Sequence, residues 1–147
     1  MTELDTRIEA PFAEARAWPA AALAGVPAPS RAPAFLFHTA FCCSTLLARA
    51  LHAPPRAMAL KEPSLLLRLA EAWRNQPDPA ARARTGASLD LGLRLLARPW
   101  ADGGRVLVKP TNTVMVLLEP LLAAAPSMRA VLLHGSLEDF LVSCAKK

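Results

Sequence analysis

Ala34-Phe35-Leu36-Phe37-His38-Thr39-Ala40-Phe41-Cys42-Cys43-Ser44-Thr45-Leu46-Leu47 is the stretch on which the fold turns. Its first five residues form a short apolar run with two aromatics, which predicts a buried strand. From Ser44 to His52 the composition is helical, and the run begins with two hydroxyl residues of the kind favoured where a helix starts. Only a tight loop separates the two elements. In that arrangement the loop amides and the N–H groups of the first helical turn lack backbone partners, carry partial positive charge and face an anion, with phosphate as the natural guest.

The same alternation continues outward. Ala57-Met58-Ala59-Leu60-Lys61 reads as a second strand, and Glu62-Pro63 opens a helix through about Trp73, with proline in the first turn and glutamate beside the positive end of the dipole. Gln76-Pro77-Asp78-Pro79 breaks it, and a further helix is expected from about Ala80 to Ala97, with Leu89, Leu93 and Leu96 on one face. Asp102-Gly103-Gly104 is a turn before Arg105-Val106-Leu107-Val108-Lys109, the most β-like run in the chain. A helix is expected over Val114 to Ala125 despite Pro120, a fourth strand over Ala130 to His134 and a closing helix over Leu137 to Ala145. Strands that alternate with helices in this way imply an α/β fold, a parallel doubly wound sheet of about four strands whose ligands bind at the carboxyl ends of the strands.

Residues 1–33 read as a partly helical N-terminal leader, with a short helix over Arg7 to Arg16, and 34–147 as the α/β domain. The length of 147 residues and the 53% hydrophobic content suit one core and exclude a disordered tail. Thirteen of the seventeen basic residues are arginine, and the net charge is +5, which suits an anionic ligand recognised by bidentate contacts. The same excess of Arg, Ala and Pro also follows from G+C-rich coding, and both origins of the basicity stay open. Cys42, Cys43 and Cys144 make a poor disulfide framework, so a reducing, cytoplasmic compartment is expected. The histidines stand at no zinc-like interval from them, so no metal is expected. Acidic residues Glu3, Asp5 and Glu9 argue against a signal peptide, and Trp18 to Pro29 is too short and proline-rich to span a bilayer.

Cys42-Cys43-Ser44-Thr45-Leu46-Leu47, set after a strand and a tight loop, resembles the phosphosulfate-binding loop of the sulfotransferase superfamily, whose fold is that of the P-loop nucleoside triphosphatases. A second stretch is similar to a further run of that family. It comprises Val106 to Thr111, Leu117-Leu118, Leu121-Leu122, Pro126-Ser127-Met128-Arg129, the strand to His134, Asp139 and Ser143. The two stretches cover about residues 34–147. The resemblance implies that 3′-phosphoadenosine 5′-phosphosulfate is the co-substrate and that its sulfuryl group passes to an unknown hydroxyl or amine acceptor. It further implies that Thr39, Cys42, Cys43, Ser44 and Thr45 line the donor loop, that Ser143 contacts the 3′-phosphate, and that Lys109 stands near the transferring group.

The chain departs from the family pattern at several points. Phe41 occupies the place of the loop's basic residue and Cys43 that of its glycine. Gly135 stands eight residues before Ser143, where the family has a nucleotide-binding arginine. Many cytosolic members place a catalytic histidine where this chain has Thr111, and family members continue beyond the position corresponding to Lys147.

Sulfuryl transfer needs a base for the acceptor and cations or amides for the departing phosphate. Glu62 is the first candidate base; its other reading is a charge that merely steadies the next helix. Lys61 and Lys109 either stabilise the donor or are solvated strand ends. Ser44 and Thr45 read as anion ligands or as ordinary helix caps, and Ser143 as a ligand or an unremarkable helical serine. Cys42 and Cys43 read as loop packing before nucleophiles, and His38 and His134 as structural histidines before catalytic ones.

The leading expectation is thus a sulfotransferase-like protein whose partner is an anionic nucleotide. The alternative is a non-catalytic or truncated relative that acts as an anion-binding or interaction module, with an open sheet edge that seeks a partner and allows oligomers. An ATP- or GTP-dependent kinase would need Gly-Lys-Ser/Thr, which the chain lacks. Scattered arginines and the absence of tyrosine argue against nucleic-acid binding.

Overall fold

Four short apolar runs, each bounded by proline, glycine or a polar turn, become four parallel strands in the computed structural model, which describes residues 19–23, 25–76, 78–99 and 101–146. They are β1 (Ala34–His38), β2 (Ala57–Lys61), β3 (Arg105–Lys109) and β4 (Ala130–Leu133). Five α-helices follow the strands: α1 (Ser44–Ala50), α2 (Ser64–Asn75), α3 (Pro79–Leu96), α4 (Leu118–Ala124) and α5 (Leu137–Ala145). The leader expected over residues 1–33 lies largely outside the described residues, including all of its helix; a single 3-10 turn, Ala20–Leu23, is described within it.

The sheet order is β2-β3-β1-β4. The chain steps from β1 over β3 to β2, returns to β3, then steps over β1 to β4. This reversal places helices on both faces and makes the sheet doubly wound, as expected. One face carries α1, which touches β1, β2 and β3. On the other, Phe35, Phe37, Met58, Val106 and Val108 meet Leu66 and Leu69 of α2, Leu89 and Leu93 of α3, and Leu117 and Leu121 in one core. Alternation along the strands sends Leu36 to the α1 face, where Ala48 is fully buried.

The helix ends follow local chemistry. Asp78 accepts hydrogen bonds from the amides of Ala80 and Ala81 and so starts α3, with Pro79 as its first residue. Gly104 makes the turn into β3 possible, because a Cβ there would come within 2.8 Å of the Pro55 carbonyl oxygen. Four expectations need correction. The helix expected over Val114 to Ala125 is a 3-10 helix over Asn112–Leu117 that passes into α4. Pro120 has no N–H for the Val116 carbonyl, and the turn before it tightens to the three-residue repeat. The helix expected to begin at Glu62-Pro63 begins at Ser64, with Pro63 at its N-cap, and Glu62 is turned out of it. Finally, α1 ends at Ala50 rather than His52, and His134 lies beyond the end of β4.

Candidate functional site

β1 and β3 are neighbours whose onward connections leave for opposite faces of the sheet, which opens the sheet's carboxyl edge between them. The residues singled out from sequence gather along that edge. Lys61 and Lys109 are register partners at the ends of β2 and β3. Both follow the alternation that points Leu107 and Ala59 away from the core, so they share the α1 face. Lys109 is buried to 2% exposure, and its ammonium donates to the carboxylate of Glu62, whose side chain remains 48% exposed.

Glu62 reaches Lys109 because its backbone is left-handed, with φ of 48°. A side chain rarely adopts that conformation, and two bonds hold it here. The Glu62 amide donates to the Lys109 carbonyl at 2.6 Å, while the carboxylate takes the ammonium of the same residue. The other reading of Glu62, as a charge in the first turn of α2, is therefore replaced by a grip on the end of β3.

The β1–α1 loop is drawn tight by its own side chains. The Cys42 thiol donates to the Thr39 carbonyl at 2.9 Å, and the Thr39 amide donates to the Leu133 carbonyl at 3.1 Å. Phe41 and Cys43 both have left-handed backbones, with φ of 59° and 58°. The glycine that the resemblance leads one to expect at Cys43 thus falls at a position whose backbone favours glycine. Cys43 is the N-cap of α1 and offers no side-chain cap. Ser44 is buried and Thr45 half-buried in the first turn, whose amides have no intrahelical acceptor.

His38 ties the two sides of the edge together. Its Nε2 lies 2.8 Å from the Pro110 carbonyl and its Nδ1 2.9 Å from that of Thr39. Sequence reading gave His38 a structural role without a partner; the partner is the β3 loop. Ser143 is half-buried on α5, three residues beyond Phe140, whose ring packs at 5.8 Å on that of Phe41. Residues three apart share a helix face, so Ser143 is on the side of α5 that meets the loop. His134 is exposed, and its Nδ1 lies 3.3 Å from the Gly135 carbonyl. The contribution that sequence reasoning missed is backbone: the left-handed residues at positions 41 and 62 have no composition signal.

The carboxyl end of the sheet therefore carries two lysines, a carboxylate, three hydroxyl residues (Ser44, Thr45 and Ser143) and first-turn amides. These groups can hold an anion and accept a proton beside it. Among the described residues no three His, Cys, Asp or Glu side chains group as a metal would require, and no helix is long and apolar enough to cross a membrane. A separate open hollow of about 250 Å³ lies near the amino ends of the strands, between Ala32, Pro33, Leu93 and Pro126. The two charged side chains that line it, Asp90 and Arg94, pair with each other, and Arg94 also reaches the Val26 carbonyl. The carboxyl edge is therefore the candidate site. No protein-family model, curated protein or solved structure matches the chain.

Proposed function

We propose that this protein is sulfotransferase-like, with a P-loop nucleoside-triphosphatase type of fold, and that it takes 3′-phosphoadenosine 5′-phosphosulfate as co-substrate at the carboxyl edge of its sheet. The observation that carries the reading is the pairing of Glu62 with buried Lys109 beside the β1–α1 loop. The resemblance alone put a lysine near the transferring group and left the base open; the two residues, 47 apart in sequence, sit in contact.

In this reading the first-turn amides together with the hydroxyls of Ser44 and Thr45 hold the donor's 5′-phosphate side, and Ser143 reaches over from α5 towards the 3′-phosphate. Glu62, half exposed, takes the proton of an acceptor hydroxyl or amine as that group attacks sulfur from the side away from the phosphate. The S–O bond to phosphate breaks as the acceptor's bond to sulfur forms. Lys109 and the loop amides stabilise the negative charge that develops on the departing phosphate oxygen. Lys61, beside Lys109 in register, adds positive charge to the same place.

A second reading is favoured by two observations. Lys109 already has its charge met by Glu62, and Phe41 stands where the family carries a cation. A chain that binds the nucleotide without turning it over would have these features. Calorimetric titration with 3′-phosphoadenosine 5′-phosphate, with ATP as control, tests both readings. Selective binding that Ser44→Ala weakens supports the donor site, and sulfuryl transfer lost in Glu62→Gln then separates enzyme from binding module. A folded chain that binds neither nucleotide overturns the proposal.

A further inference from the structure

His38 stands between two carbonyl oxygens and, when neutral, has a proton for only one of them. Its Nε2 lies 2.8 Å from the Pro110 oxygen and its Nδ1 2.9 Å from the Thr39 oxygen, and the residue is 9% exposed. A neutral imidazole carries one N–H and one bare lone pair, whereas an imidazolium carries two N–H groups. The surroundings decide which nitrogen keeps the single proton. Pro110 is fully buried and no other described group donates to its carbonyl, so that oxygen needs the Nε2 proton. The Thr39 carbonyl already takes the Cys42 thiol. Neutral His38 therefore sets the lone pair of Nδ1 against the Thr39 oxygen, two acceptors with no proton between them. A proton on Nδ1 turns that contact into a charge-assisted hydrogen bond.

We propose that His38 is a proton-operated latch on the β1–α1 loop. With Nδ1 protonated it draws Thr39 in and holds the loop; without that proton it releases Thr39 while Nε2 stays on Pro110. Proton uptake favours the held form, so the latch closes as pH falls and opens as pH rises. The elements packed on β1 are β3, β4, α1 and the 3-10 helix. At the carboxyl end they bring Lys109, whose charge Glu62 answers, and exposed His134 beyond β4. Lys61 ends β2, one strand further away. Cys42 and Cys43 are on the loop itself, Glu138 and Asp139 open α5, whose Phe140 meets the loop at Phe41, and the 3-10 helix has no ionisable side chain. Arg49, in the last turn of α1, Arg105 and Arg129 belong to the amino end of the sheet. The latch acts on the loop that carries Ser44 and Thr45, yet it needs no nucleotide and is tested apart from the proposed donor.

Long-range proton–nitrogen NMR of the full chain, recorded without ligand from about pH 5 to about pH 9, tests this over the range in which imidazoles exchange a proton. The ring signals that persist in both His52→Gln and His134→Gln belong to His38. The expected ring has both nitrogens protonated at the acid end and Nδ1 alone bare at the alkaline end. The backbone amides of Thr39 to Cys43 are expected to shift with the same midpoint as the ring, and to lose that titration in His38→Gln. Where His38→Gln fails to fold, the wild-type ring nitrogens and the shared midpoint decide the matter. A neutral ring whose bare nitrogen is Nε2 overturns the proposal, because Thr39 then keeps its bond at every pH. So does a ring that never changes its protonation over this range, or loop amides that do not follow it.

Discussion

Glu62→Gln and Lys109→Met remove the same ion pair from opposite ends and should differ in cost. The Lys109 side chain is 2% exposed and that of Glu62 48% exposed. With Glu62→Gln the ammonium stays buried against a neutral amide. Removing one partner of a buried pair costs about 3–5 kcal/mol. Water reaches the Glu62 side of this pair and replaces part of the lost interaction, which brings the expectation to about 2 kcal/mol. With Lys109→Met the buried charge itself is gone, methionine fills most of the lysine stem, and the half-exposed carboxylate is solvated; the expected loss is below about 1 kcal/mol. The double variant should cost what Lys109→Met costs alone, because no charge is left to strand. Urea unfolding followed by circular dichroism measures all three. The backbone bond from the Glu62 amide to the Lys109 carbonyl is common to every variant and cancels. If Lys109→Met proves as costly as Glu62→Gln or more so, the asymmetry of burial does not govern this pair and the reasoning fails.

Cys43→Gly should stabilise the fold by about 0.5 kcal/mol, since relief of a left-handed backbone outweighs the added freedom of the unfolded chain; a loss in the same urea assay would contradict this. Asp78→Ala removes both side-chain hydrogen bonds to the start of α3 and should cost about 1 kcal/mol, whereas Asp78→Asn should recover most of it. Gly104→Ala forces a Cβ against the Pro55 and Ala101 carbonyl oxygens, at 2.8 and 3.0 Å, and backbone cannot yield as a side chain does. A thermal midpoint lowered by at least about 5 °C is expected for it, and an unchanged midpoint would show that the turn can open.

The first three strands were legible to the residue, because each is an apolar run closed by Pro33, His38, Glu62, Gly104 or Pro110, residues that stop a strand or turn the chain. Legibility fell where the backbone departs from the common regions. Nothing in the composition around Glu62 marks a left-handed residue, so it read as a charge at the head of a helix rather than a grip on β3. The role of His38 was hidden for another reason: its partner, the Pro110 carbonyl, lies 72 residues away and has no side-chain signature. The 3-10 start before α4 had a visible cause in Pro120, but its effect on the preceding turn depends on the carbonyl it fails to satisfy.

The strand order also bears on how the protein is made. β1 is the first strand in the sequence and sits between β3 and β4, so its first bridge, Ala34 to Leu107, closes only 73 residues later. At about 5–20 residues per second of synthesis, that is a delay of roughly 4–15 s during which Phe35, Leu36 and Phe37 have no sheet to enter. β2 and β3, joined through α2 and α3, can pair first and present the edge that β1 then joins, with β4 last. The earliest synthesised part of the core is thus among the latest enclosed. A nascent chain halted before residue 105 holds its most apolar strand open to whatever chaperone or neighbour it meets.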